Sequence, residues 1–270
     1  MNKLLLRNGK IIYNKPNESD ELLSINELYK YYKSNRNKPI IKNLHKYKLA
    51  KESNKPAIIV PFRDNKYQNR TKQLKNFIPY INKNFSKSTI YIIEQSNDNC
   101  KFNRGKLLNI GYDIAKKNDH DLYIFHDVDL FPDKISLKYY TFQAEDGATH
   151  LAHKWDKYNF SHFFGGANSF TKKIFEKING FPNDFWGWGG EDDALMNRII
   201  KNELIIYKPD EGKFTELEHN NTSSHQNLKL DTMKKKILIL KDLSNWKNNG
   251  LSNLKYKIKN KNKNHYEVEL

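Results

Sequence analysis

Cysteine is nearly missing from these 270 residues: Cys100 is the only one. A single thiol excludes a disulfide framework and any cysteine-based zinc cluster, and it fits a reducing compartment. Long apolar runs are missing too. The opening "MNKLLLRNGKII" has only three leucines before Arg7, short of a signal-peptide core and far short of the ~20 apolar residues of a spanning helix. The expectation is a cytoplasmic protein with no membrane span. Arginine is scarce, confined to Arg7, Arg36, Arg63, Arg70, Arg104 and Arg198, although the net charge is +16. Lysine carries most of that charge and is spread along the whole chain. A nucleic-acid-binding stripe would concentrate the charge and favour arginine for base readout, so nucleic acid is not an expected partner. What is present, 37% hydrophobic and 13% aromatic residues, suits a globular chain with a real core rather than a disordered tail.

Residues 1–54 read as an N-terminal extension. Turn-rich connectors surround one helical period, Leu22, Ile25, Leu28, Tyr29 and Tyr32, which follows a Ser19/Asp20 cap. Over residues 55–270 the pattern becomes one of alternation. "PAIIVPF", "STIYIIEQ" and "DLYIFHDVDLF" are predicted strands; "RTKQLKNFIPYINKNF", interrupted or kinked near Pro79, and "GKLLNIGYDIAKKN" are predicted helices between them. Short strands and helices after Thr171 and Glu191 follow, then a long helix near Leu230 to Leu243 and a basic strand pair. Strand–helix repetition argues for an α/β fold, a mostly parallel central sheet flanked by helices, in one catalytic-size domain. Ligands in such sheets sit beyond the carboxyl ends of the strands.

The unusual residues fall at those ends. In "HDVDL", Asp127 and Asp129 would share a face if the strand persists. Two such carboxylates repel unless a cation or hydrogen-bond donors compensate, and a divalent ion bridging to a diphosphate is one solution. A strand-ending turn is the other reading. In "FTELEH", His219 sits three residues after Glu216; with Asp129 it would make a mixed carboxylate–imidazole shell suited to Mn²⁺. "FFGGANSF" places Gly165 and Gly166 where a backbone turns or a ligand approaches closely.

"WGWGGEDDALMNR" sets Trp186 and Trp188 among glycines and then runs Glu191, Asp192 and Asp193 together. Acids at a helix start explain the carboxylates but not the tryptophans. An aromatic lid over a sugar, beside a carboxylate that takes a proton from a hydroxyl, explains both.

"PFR", "FNRGKLLNIGY", "DVDL", "FGGANSF" and "NGFPNDFWGWGGEDDALMNR" occur here in the order found in the β-1,4-galactosyltransferase family, which the chain resembles from Pro56 to about His219. The resemblance implies a GT-A fold and a Mn²⁺-dependent inverting transferase. The enzyme would move a hexose, galactose first, from a UDP-sugar donor to a glycan acceptor such as a terminal GlcNAc or Glc. Carried over residue by residue, it assigns Pro61, Phe62, Arg63, Phe102, Arg104 and Asp127 to the nucleotide, and Lys157 to the diphosphate. Gly166, Trp188 and Glu191 fall to the donor sugar. Phe163, Gly190, Asp192 and Asp193 fall to the acceptor, with Asp192 also the general base. Asp129, His219 and Glu216 fall to the metal. Glu216 stands where vertebrate members have Met or His, a harder ligand that would admit Mg²⁺. Phe163 replaces a tyrosine that helps choose galactose, which leaves UDP-GalNAc or UDP-Glc transfer as alternatives. A catalytically silent UDP- or sugar-binding module is another. The missing anchor and sparse cysteine suggest a bacterial or viral enzyme.

Overall fold

The computed structural model describes residues 4–7, 10–13, 24–44, 51–64, 69–155, 163–217 and 228–270. A hairpin of β1 (Leu4–Arg7) and β2 (Lys10–Tyr13) precedes α1 (Ile25–Asn35). That helix starts later than expected because Ser24, not Ser19 or Asp20, caps it. Ser24 Oγ accepts from Glu27 N–H while the Glu27 carboxylate accepts from Ser24 N–H, a reciprocal cap that satisfies two otherwise orphaned donors. Next come β3 (Ile40–Asn43) and β4 (Lys51–Glu52).

Then β5 (Pro56–Phe62), α2 (Arg70–Asn84), β6 (Thr89–Gln95), α3 (Arg104–Ala115) and β7 (Leu122–His126) build the strand–helix alternation expected from the sequence. Helix α2 runs through Pro79 without interruption. Pro79 and Lys75 are both exposed, so the carbonyl that loses its N–H partner can turn to water. After β7 the chain turns through Asp127–Asp129, with Leu130 N–H bonded to Asp127 O at 3.3 Å, so the two aspartates do not lie on one extended strand.

Beyond the turn lie β8 (Leu130–Pro132), α4 (Lys134–Leu137), β9 (Phe142–Gln143), β10 (Gly147–His150), β11 (Ala167–Phe170) and α5 (Lys172–Lys177). The chain continues as α6 (Glu191–Lys201), β12 (Ile205–Lys208), β13 (Phe214–Glu216) and α7 (Leu228–Asn245). It closes with β14 (Lys257–Asn262) and β15 (His265–Glu269).

One sheet of nine strands, ordered β14-β15-β6-β5-β7-β11-β10-β12-β3, organises the molecule. Five of its eight pairings are parallel; β14–β15, β7–β11 and β11–β10 are antiparallel. All seven residues of β5 are buried because both sheet faces are covered. Ala57 and Ile59 face the core under α3, α5 and α6, while Ile58, Val60 and Phe62 face the core under α2. Each fully buried aliphatic or aromatic side chain there contributes about 1.5–3 kcal/mol over exposure.

The segment expected as an extension joins this unit at several places, among them β4, which pairs antiparallel with β9. Strand β3 pairs in parallel with β12 at the sheet edge, and Leu28 of α1 packs against Leu240 of α7.

Candidate active site

Three loops meet at the carboxyl ends of β5, β6 and β7. After β5, Arg63 donates to Cys100 O at 2.8 Å, lies 3.7 Å from Asp98 and stacks its guanidinium 5.6 Å from the centre of the Phe102 ring. After β6, Gln95 ties the loop together: its Nε2 donates to Asp98 and to Lys101 O, and its Oε1 accepts from Asn103 N–H at 2.9 Å. Asn103 then caps α3 by accepting from Lys106 N–H, which sets Arg104 at the first helical position. Pro61 and Phe62 are buried, and the Phe62 ring, 4% exposed, belongs to the core under α2. Of the three residues assigned to the nucleotide there, Arg63 presents the accessible side chain.

Arg104 is the hub. Its Nε donates to Asp127 Oδ1 at 2.6 Å, its Nη1 donates to Asp192 Oδ1 at 2.9 Å, and the same Nη1 lies 3.6 Å from Glu191 Oε1. One partly buried guanidinium thus joins the aspartate turn after β7 to the acidic start of α6, groups 65 residues apart in sequence (192 − 127). Burial alone would lower the Arg104 pKa, but Asp127, Asp192 and Glu191 together outweigh it and hold the charge. Two buried atoms of this cluster, Arg104 Nη2 and Glu191 Oε2, have no hydrogen-bond partner. Native proteins leave few such atoms, and here a donor and an acceptor occur in one cluster.

Asp192 projects from α6, whose N-cap is Gly190 at φ 94°, a left-handed conformation that favours glycine. Burial, then Glu191, Asp127 and Asp193, push its carboxyl well above the ordinary range, against the pull of Arg104. The side chain is 25% exposed, so water tempers the burial effect. The backbone of Gly165 closes on it: a Cβ there would stand 2.7 Å from Asp192 Oδ2 and 2.7 Å from the Phe163 ring. Gly166 O accepts from Asp127 N–H at 3.0 Å. Arg104, Asp127, Phe163, Gly165, Gly166, Gly190, Glu191 and Asp192, four segments of sequence, therefore converge. Asp193 turns outward to Lys33 of α1 at 3.6 Å.

Trp188 stands apart from the cluster, 82% exposed. Its loop is anchored at the base instead, by Gly187 N–H to Phe102 O at 2.7 Å and by Lys235 Nζ to Trp186 O at 2.8 Å.

Sequence reasoning missed three supports. Arg70, at the start of α2, reaches Asp129 Oδ2 at 2.6 Å. Lys235 holds the tryptophan loop. His126 Nδ1 donates to Asp127 O at 2.8 Å and its Nε2 accepts from Tyr140 Oη at 2.7 Å, fixing the turn. Burial pulls the His126 pKa down to about 4, so the ring stays neutral.

The metal assignment fits in part. Asp129, 7% exposed, offers hard oxygen donors of the kind Mn²⁺ and Mg²⁺ take. Glu216 pairs in register with Leu130, and Leu217 N–H bonds to Asp129 O at 2.8 Å, so the strand carrying Glu216 passes beside the aspartate. Among the described residues no group of three His, Cys, Asp or Glu is assembled to hold an ion. His219 and Lys157 lie outside the described residues.

Two family descriptions match consecutive stretches of the chain: the N-terminal region of glycosyl transferase group 7 over residues 17–141, and the N-terminal domain of galactosyltransferase over residues 148–220. The chain belongs to the β-1,4-galactosyltransferase family. It is 36% identical over 210 residues to beta-1,4-galactosyltransferase 4 of Cricetulus griseus, covering 75% of this chain and 58% of that relative. It is 40% identical over 164 residues to beta-1,4-galactosyltransferase 1 of Mus musculus, covering 57% and 39%. The chain thus spans roughly half the length of these curated relatives. The catalytic domain of Drosophila beta-1,4-galactosyltransferase 7, solved with xylobiose, superposes with a TM-score of 0.65 at 26% identity, covering 80% of this chain and 94% of that one. A variant of that fly enzyme solved with manganese, UDP-Gal and xylobiose, at 24% identity and a TM-score of 0.64, shares the fold. Family membership accords with the GT-A type α/β architecture and its largely parallel sheet.

Proposed function

We propose that this protein transfers galactose from UDP-galactose to a hydroxyl of a sugar acceptor, with inversion at the anomeric carbon and with a divalent cation bound at Asp129. The observation that carries the reading is the Arg104 hub, which unites Asp127 with Glu191 and Asp192 and keeps Arg104 Nη2 and Glu191 Oε2 buried without partners.

Each side chain then has a task. Arg63 and Phe102, already stacked, form a slot for the uracil ring. Asp127 faces the ribose, its carboxyl raised by burial and by Asp129 but opposed by Arg104. Arg104 Nη2 and Glu191 Oε2 are a donor and an acceptor for the polar groups of the nucleotide sugar. Asp192 takes the proton from the acceptor hydroxyl as that oxygen bonds to the anomeric carbon and the UDP oxygen leaves with the electron pair. Gly165 admits the sugar against Asp192 because it carries no Cβ. Trp188 closes over the site as an aromatic lid when sugar binds. Asp129, with His219 and Glu216, would hold Mn²⁺ or Mg²⁺; when bound there, such a cation neutralises charge developing on UDP.

Release of UDP from UDP-Gal, UDP-Glc and UDP-GalNAc, each with Mn²⁺, Mg²⁺ or EDTA, tests this. Acceptors are GlcNAc, Glc and, because the fly relative binds xylobiose, xylose-based sugars. Metal-dependent release from UDP-Gal that an acceptor stimulates is the expected result. UDP binding without release from any donor would instead mark a silent binding module.

A further inference from the structure

The amino ends of β5, β6 and β15, opposite the candidate site, border a cavity of about 470 Å³. That volume falls among the sites that take small molecules, and the transfer reaction uses none of its residues. Its floor is formed by two tyrosines, Tyr91 at 2% exposure and Tyr266 at 6%. The Tyr91 hydroxyl is spoken for: it lies 2.8 Å from His120 Nε2 and accepts from Asn118 Nδ2 at 3.0 Å, while His120 Nδ1 lies 2.8 Å from Lys55 O. Tyr266 is more than nine-tenths buried and lines the cavity; its hydroxyl makes no hydrogen bond among the described residues and is not one of the enclosed unpaired atoms, so it is open to the cavity.

The charges around it are of one sign. Lys55, Lys87 and Lys261 line the cavity and no carboxylate does. Lys261 Nζ sits 5.3 Å from the centre of the Tyr266 ring. Asp119, which is not among the lining residues, pairs with Lys55 at 3.7 Å, its side chain 97% exposed. Lysines scattered over a basic chain explain an occasional cation in a cleft. They do not explain an acid-free concavity built on a fixed Tyr–His–Asn network with one open hydroxyl at its floor. Three ammonium groups around a concave site focus a positive potential, and hydroxyl and amide groups suit a hydroxyl-rich partner.

We propose that this cavity is a second binding site, separate from the donor site, for a phosphorylated monosaccharide. The phosphate meets the lysines, and a sugar hydroxyl meets Tyr266 Oη.

Calorimetric titration of the full chain with glucose 1-phosphate, inorganic phosphate and glucose, each with and without saturating UDP and Mn²⁺, tests the proposal. Glucose 1-phosphate should bind saturably whether or not UDP is present. Its affinity should fall at least tenfold in the Lys87→Ala/Lys261→Ala double variant and in Tyr266→Phe, while both variants keep wild-type UDP affinity. Tyr266→Phe removes only an unpaired hydroxyl, so folding is not at stake. Displacement by UDP would place the sugar phosphate in the donor site and overturn the proposal. So would unchanged affinity in the variants, or no saturable binding. Inorganic phosphate binding as tightly as glucose 1-phosphate would overturn the sugar half of the assignment.

Discussion

Two arginines, the partly buried Arg104 and the buried Arg198, show how one side chain serves opposite ends. Arg198, 1% exposed, makes a two-point ion pair with Asp242 of α7 at 2.9 and 2.6 Å. Its remaining donors reach the carbonyls of Asn179, Gly180 and Asn249 at 3.1, 2.8 and 2.6 Å. None of its nitrogens is left over. It pins α6 to α7 and to the turn before the tryptophan loop. Arg104 has three carboxylates around it, only two close contacts, and an Nη2 with no partner. A saturated guanidinium is a structural pin; an unsaturated one among excess carboxylates is a place for something else to bind.

The sharpest test of that contrast is Asp192→Asn, which keeps the shape of the Arg104 shell and removes the proposed base. Transfer should fall by about 10²–10⁴-fold, while UDP binding by calorimetry stays near wild type. An unchanged rate would dissolve the contrast. On the other side, Arg198→Met strands Asp242, whose carboxyl burial already pushes up. Unfolding in urea should show a loss of about 3–5 kcal/mol, as for other broken buried pairs, and a loss under 1 kcal/mol would mean the pin is dispensable.

Arg104→Gln should act through pH instead. Asp192 has a folded pKa above its unfolded value, so its contribution to stability is complete below the unfolded pKa and is lost as pH rises through the folded one. The proposed reaction needs the ionised form, so kcat/KM should rise with pH across the same window. Arg104 is the charge that opposes this shift; without it the acid limb of the rate profile should move upward, with activity partly recovered at higher pH. A limb that stays in place would show that another group sets it. The smallest stability effect belongs to Trp188→Ala: within about 0.5 kcal/mol of wild type in thermal unfolding, as for exposed sites generally, with a raised KM for the donor. An unchanged KM would remove Trp188 from the site.

The sequence spelled out the parts of the fold that repeat locally. Residues 56–62 and 88–95 read as strands and 105–118 as a helix because their apolar spacing is uninterrupted, and the structure has them at 56–62, 89–95 and 104–115. The acidic start of α6 and the glycine pair at 165 and 166 were legible from composition alone. The pairings were not. Arg70 with Asp129 and Arg198 with Asp242 join residues 59 and 44 positions apart (129 − 70, 242 − 198), and no periodic pattern reports a contact of that kind. One signal was available. In a chain whose cations are mostly lysine, four of six arginines, Arg63, Arg70, Arg104 and Arg198, pair with aspartates. Forked, rigid geometry explains why lysine does not replace them. The docking of α1 was hidden for another reason: its partners on α7 lie more than 200 residues downstream.

The neighbours of β6 are equally far apart in time. Its inner edge meets β5 a few dozen residues upstream, but its outer edge pairs with β15, and the contact between Glu94 and His265 spans 171 residues. Until β15 arrives, "TIYIIEQ" presents an unpaired rim of high β-propensity to any passing strand. The finished sheet hides that rim. A chain emerging from the ribosome, or diluted from denaturant, does not, and its period of greatest exposure to self-association therefore precedes the native state.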